Sequence, residues 1–535
     1  MKTACHCLLI VLLPTQLNKF IEITCTLVPL LLVCLTLAPT SVFSQDAAVQ
    51  LRVVALTGDD APGVAGAKFA KPSGGRDTFT STRVNSAGKV CFDAGIAGEG
   101  IPTKLDRTKF YNAQGIWAER ADGLKLVARK GDPTPGLEDM SITDFEFRWA
   151  SDDQVAVMAT GGEEPSKGDT ESSVYFVDDS GIYNVLTGGN ELAAISGKPI
   201  RIFDEFYEQS AADGKITFAS PNFSSKKRGI WVASSEEVKP VVKTMEQCPD
   251  LEDGFLFRNL VSFASNANGQ VVFTAYCSKK TTRFDSIWLA DPFGEASPKK
   301  LVLQSNKPAP GLPGVTLKKF KTIAINSENQ ILVYASLEGE GMISDRIAYN
   351  KEALFQYDGE QWKLLMRRGS AAPEGSKPNT VLTLIGNPII SSSGQVAMIG
   401  TGQRDGERGG DTYILSNASG EFKPIAQNGD LASGLGEEVT FTMFSENAFA
   451  GPEQLVFRAL HSDRTAGLWA SKAGAEPVLL VKTETEIEVR PGEKRTIKRL
   501  MKRTSTSPST DGKAGYVSFV VVFEDGSQAI CVATL

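Results

Sequence analysis

Residues 266 to 277 read NANGQVVFTAYC, and three other stretches of the chain follow the same pattern. They are NSAGKVCFDAG (85–95), NSENQILVYAS (326–336) and SSSGQVAMIGT (391–401). Each begins with Asn or Ser, often has Gly in fourth place, and continues with apolar or β-branched residues. Asn or Ser first with Gly fourth is typical of a type I turn, and the run that follows is typical of a buried strand. The pattern therefore predicts a turn leading into a strand, used several times.

The repeat extends over most of the chain, at a spacing of 55 to 65 residues. The central residue of its apolar run lies at Phe92, Val157, Phe218, Phe273, Val333, Met398, Phe457 and Phe519. A second series follows at Trp117, Tyr175, Trp231, Trp288, Phe355, Tyr413, Trp469 and Cys531. Two series that recur together at this spacing indicate one supersecondary unit used eight times.

The fifth unit illustrates the strands within a repeat. Its segments FKTIAIN, QILVYASL, EALFQYD and WKLLMRR are rich in β-branched or aromatic residues and lack a helical period. We name them strands A, B, C and D. Four short antiparallel strands per unit, used eight times, predict an all-β fold, an eight-bladed β-propeller of four-stranded antiparallel blades.

The two ends of the repeat complement each other. The last unit supplies segments A, B and C, whereas residues 51–57, LRVVALT, have the character of a D strand and precede the first A strand. We expect residues 51–57 to join the last blade and close the ring, because closure removes exposed sheet edges. Residues 45–535 would then form a single propeller domain.

The first 44 residues have the character of a secretory signal. Two apolar stretches follow Lys2 and Lys19, and small residues lie near Ser44. We predict a signal peptide over residues 1–44 and a secreted, periplasmic or extracellular mature domain without membrane segments; a retained N-terminal membrane anchor is the alternative. The net charge of −7 argues against a nucleic-acid partner, since such binding depends on clustered Lys and Arg.

Four cysteines lie outside the leader: Cys91, Cys248, Cys277 and Cys531. Cys248 falls in the loop that leaves the third unit, and Cys277 ends strand B of the fourth unit. In a propeller those two kinds of loop share one face. We therefore predict a Cys248–Cys277 disulfide, which an oxidising compartment permits, and buried free thiols at the other two positions.

The recurring N-x-x-G-x-V-x-F-x-A, G-I-W and L-V-x-x-G-D-x-x-P-G segments resemble those of secreted bacterial tandem-repeat proteins known by their N-x-x-G-x-x-x-F repeat. The likeness spans residues 51–535 and is strongest in the first, fourth and seventh units. It implies a β-propeller. It implies no catalytic residues, because that family has no assigned activity.

The chain has too few histidines for most histidine-based catalysis or metal binding. His461 is the only histidine outside the leader, which excludes metal sites built from several imidazoles. Ser462 and Asp463 are its neighbours in sequence, but we expect a loop histidine rather than a catalytic triad. No catalytic residue and no organic cofactor are predicted.

The G-D loops between units carry Asp59, Asp132 and Asp430. If these carboxylates met at a common opening, they would offer oxygen ligands to a hard cation such as Ca²⁺. The alternative, which we favour, is that each Asp accepts hydrogen bonds from amides of its own turn.

The loops between strands B and C differ most from unit to unit. They are long in the first, fifth and sixth units and mix carboxylates with Arg, Lys and Tyr. Insertions on one face of a rigid ring are common places for recognition. The predicted ligand-binding residues are Glu99, Arg107, Tyr111, Glu340, Arg346, Tyr349, Arg404, Asp405 and Arg408. The Trp series, by contrast, is predicted to pack between blades rather than to stack on sugars.

Three functions stay open at this point. The first is a non-catalytic, monomeric binding or interaction scaffold with a protein or glycan partner. The second is a carbohydrate-active enzyme, a glycoside hydrolase or lyase with paired carboxylates in the central pocket. The third is a structural protein of the cell envelope.

Overall fold

Each repeat of the sequence forms one blade of an eight-bladed β-propeller, a sheet with strands A to D in antiparallel order. The first strand is β1 (Gln50–Leu56). Blade 1 contains β2 (Ala67–Phe69), β3 (Phe79–Val84), β4 (Val90–Gly98), β5 (Gln114–Arg120) and β6 (Gly123–Arg129). Blade 2 contains β7 (Ser141–Trp149), β8 (Val155–Gly162), β9 (Thr170–Val177) and β10 (Ile182–Thr187). Blade 3 contains β11 (Glu205–Phe206), β12 (Ile216–Ala219), β13 (Gly229–Ala233) and β14 (Val238–Lys243).

The remaining blades follow the same plan. Blade 4 contains β15 (Leu256–Ser265), β16 (Val271–Lys279), β17 (Thr282–Ala290) and β18 (Lys299–Gln304). Blade 5 contains β19 (Val315–Ile325), β20 (Ile331–Gly339), β21 (Glu352–Tyr357) and β22 (Trp362–Arg367). Blade 6 contains β23 (Thr380–Ile390), β24 (Val396–Arg404), β25 (Asp411–Ser416) and β26 (Lys423–Gln427). Blade 7 contains β27 (Phe441–Ala450), β28 (Gln454–His461), β29 (Ala466–Lys472) and β30 (Val478–Lys482). Blade 8 contains β31 (Glu486–Arg490), β32 (Glu493–Leu500), β33 (Ser505–Thr506), β34 (Tyr516–Phe523) and β35 (Gln528–Thr534).

This computed structural model describes most of the chain after residue 48, and Val49–Leu535 is one compact unit. No α-helix occurs in the part that it describes. The described residues are 49–71, 77–101, 112–163, 170–190, 194–195, 203, 205–206, 214–220, 228–294, 299–344, 349–404, 410–418, 421–472, 475–502, 504–507 and 514–535.

The two periodic series of the sequence are cross-strand neighbours on strands B and C. In seven blades the aligned residues face each other directly, as Phe92 does Trp117 and Phe273 does Trp288. Blade 6 is the exception, because Met398 faces Leu415 rather than Tyr413. The alignment of Tyr413 was therefore wrong by two residues. The cause is local. In the blades with a tryptophan, the pairing of strands C and D shifts register at that residue, as at Trp288 and Trp469. In blade 6 the same shift lies at Leu415.

The tryptophans of strand C are core residues, as predicted. Trp117, Trp231, Trp288 and Trp469 are fully buried. Each meets a phenylalanine from the start of strand A edge to face, with ring centroids 4.9 to 5.4 Å apart. Edge-to-face pairs contribute roughly 0.5–1.5 kcal/mol beyond the burial of their area. A sugar-stacking role for this series is thereby excluded.

The asparagine that opens the A-to-B turn joins neighbouring blades. In blade 4 the Oδ1 atom of Asn266 accepts from the amides of Asn268 and Gln270, at 3.1 and 3.0 Å. Its Nδ2 donates 3.0 Å to the carbonyl of Asn326, which opens the same turn in blade 5. Asn326 in turn donates 3.0 Å to the carbonyl of Ser391 in blade 6. One side chain thus closes its own turn and ties that turn to the next blade.

The loop from strand D to the next strand A begins at a residue with positive φ. Its amide donates to a carbonyl in an early strand of the next blade, as Gly58 does to Phe69 at the end of β2 (2.8 Å) and Glu484 to Ile497 within β32 (2.6 Å). Glycine fills this place where the sequence has its G-D pair, because a left-handed backbone is strained for other residues. The residues that share it are Gly58, Gly131, Met245, Asn306, Gly369, Gly429 and Glu484, with φ between 62° and 96°.

Strand β1 pairs with β35 of blade 8, with Leu51 opposite Ala533 and Val53 opposite Cys531. Side chains also connect blade 8 to blade 1. Arg52 forms a two-pronged ion pair with Glu119, at 2.6 and 2.8 Å. The Oε1 atom of buried Gln528 accepts from the amides of Thr78 and Phe79.

We predict that Asn266→Ala lowers the free energy of unfolding by about 2 kcal/mol, because it leaves two turn amides and one inter-blade carbonyl without their partner. Asn268→Ala is the matched control, since Asn268 lies in the same turn but is exposed and makes a single, solvent-exposed bond to blade 5, from Nδ2 to the Ser327 carbonyl at 3.2 Å. Denaturant unfolding of both variants measures the difference. Equal losses would contradict the inter-blade role of Asn266.

We predict that Glu484→Gly raises the free energy of unfolding by roughly 1 kcal/mol, because Glu484 is exposed and has a φ of 69° that glycine adopts without strain. Glu484→Ala is the control, since alanine keeps the Cβ atom that causes the strain. Thermal unfolding of the two variants decides the point. A gain in the alanine variant as large as in the glycine variant would refute the explanation.

Candidate functional site

The predicted ligand-binding residues divide between described and undescribed parts of the chain. Arg107, Tyr111, Arg346, Asp405 and Arg408 lie outside the described residues. Glu99 and Glu340 are exposed in the loops that follow strands β4 and β20. Tyr349 and Arg404 each belong to a charged cluster at the B-to-C end of its blade. The structure brings these last two residues into two sites on adjacent blades.

The first cluster, which we call the blade 5 cluster, consists of Lys321, Tyr334, Tyr349, Glu352 and Arg368. Glu352 begins strand C, and its side chain is only 6% exposed. It accepts hydrogen bonds from Lys321 and Tyr334, and from Nη1 of Arg368 at 2.7 Å. The Arg368 guanidinium lies over the Tyr349 ring, 4.3 Å from its centroid. Every member of this cluster is thus fixed by another.

The electrostatics of the blade 5 cluster favour an ionised carboxylate. Burial alone would raise the pKa of Glu352, but the hydrogen bonds from Lys321, Tyr334 and Arg368 together lower it. Burial, with the bond to Glu352, raises the pKa of Tyr334. The cluster therefore carries two cations and one anion at neutral pH, an excess of one positive charge.

The second cluster, which we call the blade 6 cluster, consists of Lys377, Arg404 and Asp411. Asp411 begins strand C of blade 6, and its side chain is 10% exposed. The Nζ atom of Lys377 lies 2.7 Å from Oδ1 of Asp411, and Nε of Arg404 lies 3.4 Å from Oδ2. Two cations again surround one carboxylate. Adjacent blades thus present the same excess of one positive charge at the same end.

The sequence interpretation missed Lys321, Glu352, Arg368, Lys377 and Asp411. Glu352 was assigned to a strand without a role. A usable signal was present, because an acidic residue that opens an apolar strand must be buried and paired. What the sequence lacks is the identity of the cations, which come from strand A, from the end of strand D and from the loop between blades.

A cavity of about 510 Å³ lies at the opposite end of the strands, among the A-to-B turns. Its lining comes from blades 1, 4, 5, 6, 7 and 8 and is rich in Asn, Ser and Thr. Among the described residues of this lining, Glu446 is the acidic side chain and Arg83 the basic one. The paired carboxylates that the enzymatic alternative expects here are not found in that part of the lining.

The three predicted metal ligands, Asp59, Asp132 and Asp430, lie in separate loops between blades. Asp59 accepts from the amide of Leu56 at 3.0 Å, and Asp430 from the amide of Gln427 at 3.1 Å, so both bond within their own turns. Asp59 also pairs with Arg490. Burial raises the pKa of Asp132. Among the residues described, no group of three or more His, Cys, Asp or Glu is placed to hold a metal ion.

The predicted disulfide partners, Cys248 and Cys277, are buried neighbours. Their sulfur atoms lie 3.2 Å apart, and the structure has both as free thiols. Ser286 is also 3.2 Å from the Cys277 sulfur, and the Trp288 indole donates to its hydroxyl at 2.8 Å. Cys91 and Cys531 are buried free thiols, as the sequence indicates. The disulfide itself stays a prediction.

We predict that the protein isolated from an oxidising compartment contains a Cys248–Cys277 bond. Closing a loop of this length stabilises the fold by roughly 3 kcal/mol in the chain-entropy model. Peptide mapping without reductant should find the two cysteines in one linked peptide pair, and reductant should lower the melting temperature. Complete alkylation of both thiols in the denatured, unreduced protein would contradict the bond; Cys91→Ala, which leaves both partners in place, is the control.

His461 ends strand β28 and is only 3% exposed, so the expectation of a loop histidine was wrong. The Trp469 indole donates to its Nε2 at 3.2 Å. Its Nδ1 lies 2.9 Å from Thr465 Oγ1, which itself donates to Asp463 at 2.6 Å. These partners require a neutral ring with the proton on Nδ1. Apolar packing and a tryptophan donor make His461 part of the core rather than a catalytic base.

We predict that His461 makes the fold sensitive to mild acid. Burial lowers its pKa below the ordinary value of 6.5, so the unfolded chain binds more protons than the folded one as the pH falls. The contribution of neutral His461 to the free energy of unfolding is complete above about pH 6.5. Below that pH it decreases, by at most about 1.4 kcal/mol per pH unit. Unfolding free energies from pH 8 to 5 measure it. His461→Gln should have the flatter slope, and an unchanged slope would refute the assignment.

Taken together, the blades and these polar sites define an eight-bladed β-propeller with a cationic loop end and a polar cavity at the other end. The sequence matches a family model described as a family of unknown function (DUF7453), over residues 36–199 and 182–535. The chain therefore belongs to that family. Within the described residues, no helix has the length and apolar character needed to cross a membrane. A comparison with curated proteins gave no match.

Solved structures similar to this chain were found at low identity. The Dos1 propeller is 12% identical with a TM-score of 0.36, over 86% of this chain and 95% of that one. The polysaccharide lyase Uly1 is 12% identical with a TM-score of 0.37, over 76% and 91%. Prolyl oligopeptidase B from Galerina marginata is 11% identical with a TM-score of 0.37, over 83% and 55%.

Proposed function

We propose that the protein is a secreted, non-catalytic binding propeller that holds an acidic polysaccharide at the B-to-C end of blades 5 and 6. The observation that carries the proposal is the pair of charged clusters. Each fixes two cationic side chains around one carboxylate, on a chain whose net charge is −7. A local excess of positive charge on an acidic protein favours a ligand of negative charge at that place.

The clusters are suited to binding because their cations are held in place before a ligand arrives. The buried carboxylates of Glu352 and Asp411 fix the positions of Arg368 and Lys377. Binding then costs less side-chain entropy than it would with free lysines and arginines. Tyr349, half-buried beneath Arg368, adds an aromatic face with a polar edge. Two cationic positions on adjacent blades match a polymer whose acidic groups repeat.

The proposal includes the compartment and the assembly state. The signal-like leader over residues 1–44 supports action outside the cytoplasm, and the mature domain acts as a monomer. Arg107, Tyr111, Arg346, Asp405 and Arg408 lie outside the described residues and stay predicted ligand-binding residues from the sequence. A metal ion is not needed for this kind of recognition, and Ca²⁺ at the G-D loops is no part of it.

We predict that the mature chain binds polygalacturonate or alginate more tightly than neutral dextran, with an affinity that falls as salt is added. Arg404→Gln should weaken binding by roughly fivefold, the effect of about 1 kcal/mol for one partly exposed charge. Lys377 still pairs with Asp411 in that variant. Tyr349→Ala should weaken binding without changing its salt dependence. Calorimetric titration measures both.

Lys423→Gln is the matched control, because Lys423 pairs with Ser416, five residues along strand C from Asp411, and its ion partner is Glu374 rather than a member of the cluster. It should leave binding unchanged. Equal binding of dextran, or a loss with Lys423→Gln equal to that with Arg404→Gln, would overturn the proposal. Release of new sugar ends during the titration would establish the enzymatic alternative instead. Binding of acidic proteins but of no polysaccharide would show that the partner is a protein rather than a glycan.

A further inference from the structure

We infer that the cavity among the A-to-B turns is a second binding site, for a small hydroxylated acid such as a sugar acid. It lies at the other end of the strands from the two charged clusters. In blade 5, Ile331 begins strand β20 beside the cavity-lining turn, whereas Ser336, farther along the same strand, pairs with Glu352. The inference is therefore independent of the proposed polysaccharide surface.

The size of the cavity suits a small ligand. Its volume of about 510 Å³ lies within the range of roughly 300–1,000 Å³ over which protein pockets enclose small molecules. The walls are made of turns that the inter-blade asparagine bonds hold in place, as Asn266 and Asn326 show. A cavity with such walls keeps its shape when empty, which lowers the entropy cost of binding.

The charge of the cavity wall favours an acid. Nη1 of Arg83 donates 2.9 Å to the carbonyl of Thr82, and within the described chain its guanidinium forms no ion pair. This leaves further guanidinium donors in a fixed fork, a geometry that matches a carboxylate. Glu446 also lines the cavity, but Arg458, its cross-strand partner, lies near enough for the two charges to interact, so a second cation offsets the Glu446 carboxylate.

The neutral part of the wall favours hydroxyl groups on the ligand. The side-chain hydroxyls of Ser327, Thr504 and Thr506 line the cavity and form no hydrogen bond among the described residues. All three residues are partly exposed rather than buried. Hydroxyls can donate and accept, as can those of a sugar, and Glu446 can accept from a ligand hydroxyl. A wall with a cation at one place and hydroxyls at several others is complementary to a polyhydroxy acid.

The test is a calorimetric titration of the mature chain with D-glucuronate, D-galacturonate, D-glucose and D-galactose. We expect at least one acid to bind at least tenfold more tightly than its neutral counterpart. Arg83→Gln should reduce that affinity at least tenfold, and Arg83→Lys should reduce it less. The melting temperature of each empty variant reports whether the fold is kept, since only side-chain atoms of Arg83 are changed.

Lys377→Gln is the matched control at the other end of the propeller, and it should leave the affinity for the acid within twofold. Equal binding of neutral sugars, unchanged binding in Arg83→Gln, or no binding of either acid would overturn the inference. Loss of acid binding in Lys377→Gln would also overturn it, because it would place the acid at the charged clusters. Polysaccharide binding by Arg83→Gln tests the proposed function separately.

Discussion

The hydrogen bond from one A-to-B turn to the next is the contact on which the inner wall of the propeller depends. A blade is a thin sheet whose faces must both be covered, so its position is set by its neighbours. The amide of Asn266 satisfies its own turn with Oδ1 and reaches the carbonyl of Asn326 with Nδ2. An asparagine is suited to this because it offers an acceptor and two donors on a short side chain. One asparagine therefore provides both the hydrogen bonds within its turn and the hydrogen bond to the next blade.

A fixed inner wall also determines where function can vary. In blades 1, 4 and 5 the A-to-B turn begins with Asn, and that side chain donates to a carbonyl of the next blade. The B-to-C loops differ more from unit to unit, and at that end the chain places buried Glu352 and Asp411 with their cations. Burying a carboxylate without partners is costly, and the two cations around each one offset that cost. The excess charge that results is a property of the cluster rather than of any one exposed loop residue.

The sequence was sufficient for the blades because two of its signals are local. Turn residues and alternating apolar residues predicted the strands of the fifth unit within a few residues at every boundary, apart from the longer start of β19. The Trp series was correctly interpreted as core. Of the four units without a tryptophan in this series, local similarity failed in the sixth. There Tyr413 was aligned in place of Leu415, because an aromatic residue was preferred.

The sites were predicted less well because they depend on contacts between distant segments. Tyr349 and Arg404 were found through loop composition, yet their meaning comes from their contacts with Arg368 and Asp411, which composition does not reveal. His461 was misjudged for the same reason: its neighbours in sequence are polar, and only the pairing of β28 with β29 brings Trp469 to its ring. A repeat predicts what every blade shares, and function in such a ring lies in what single blades do differently. For this chain we propose that those differences are the paired cations of blades 5 and 6 and the Arg83 guanidinium of blade 1, which has no ion pair among the described residues.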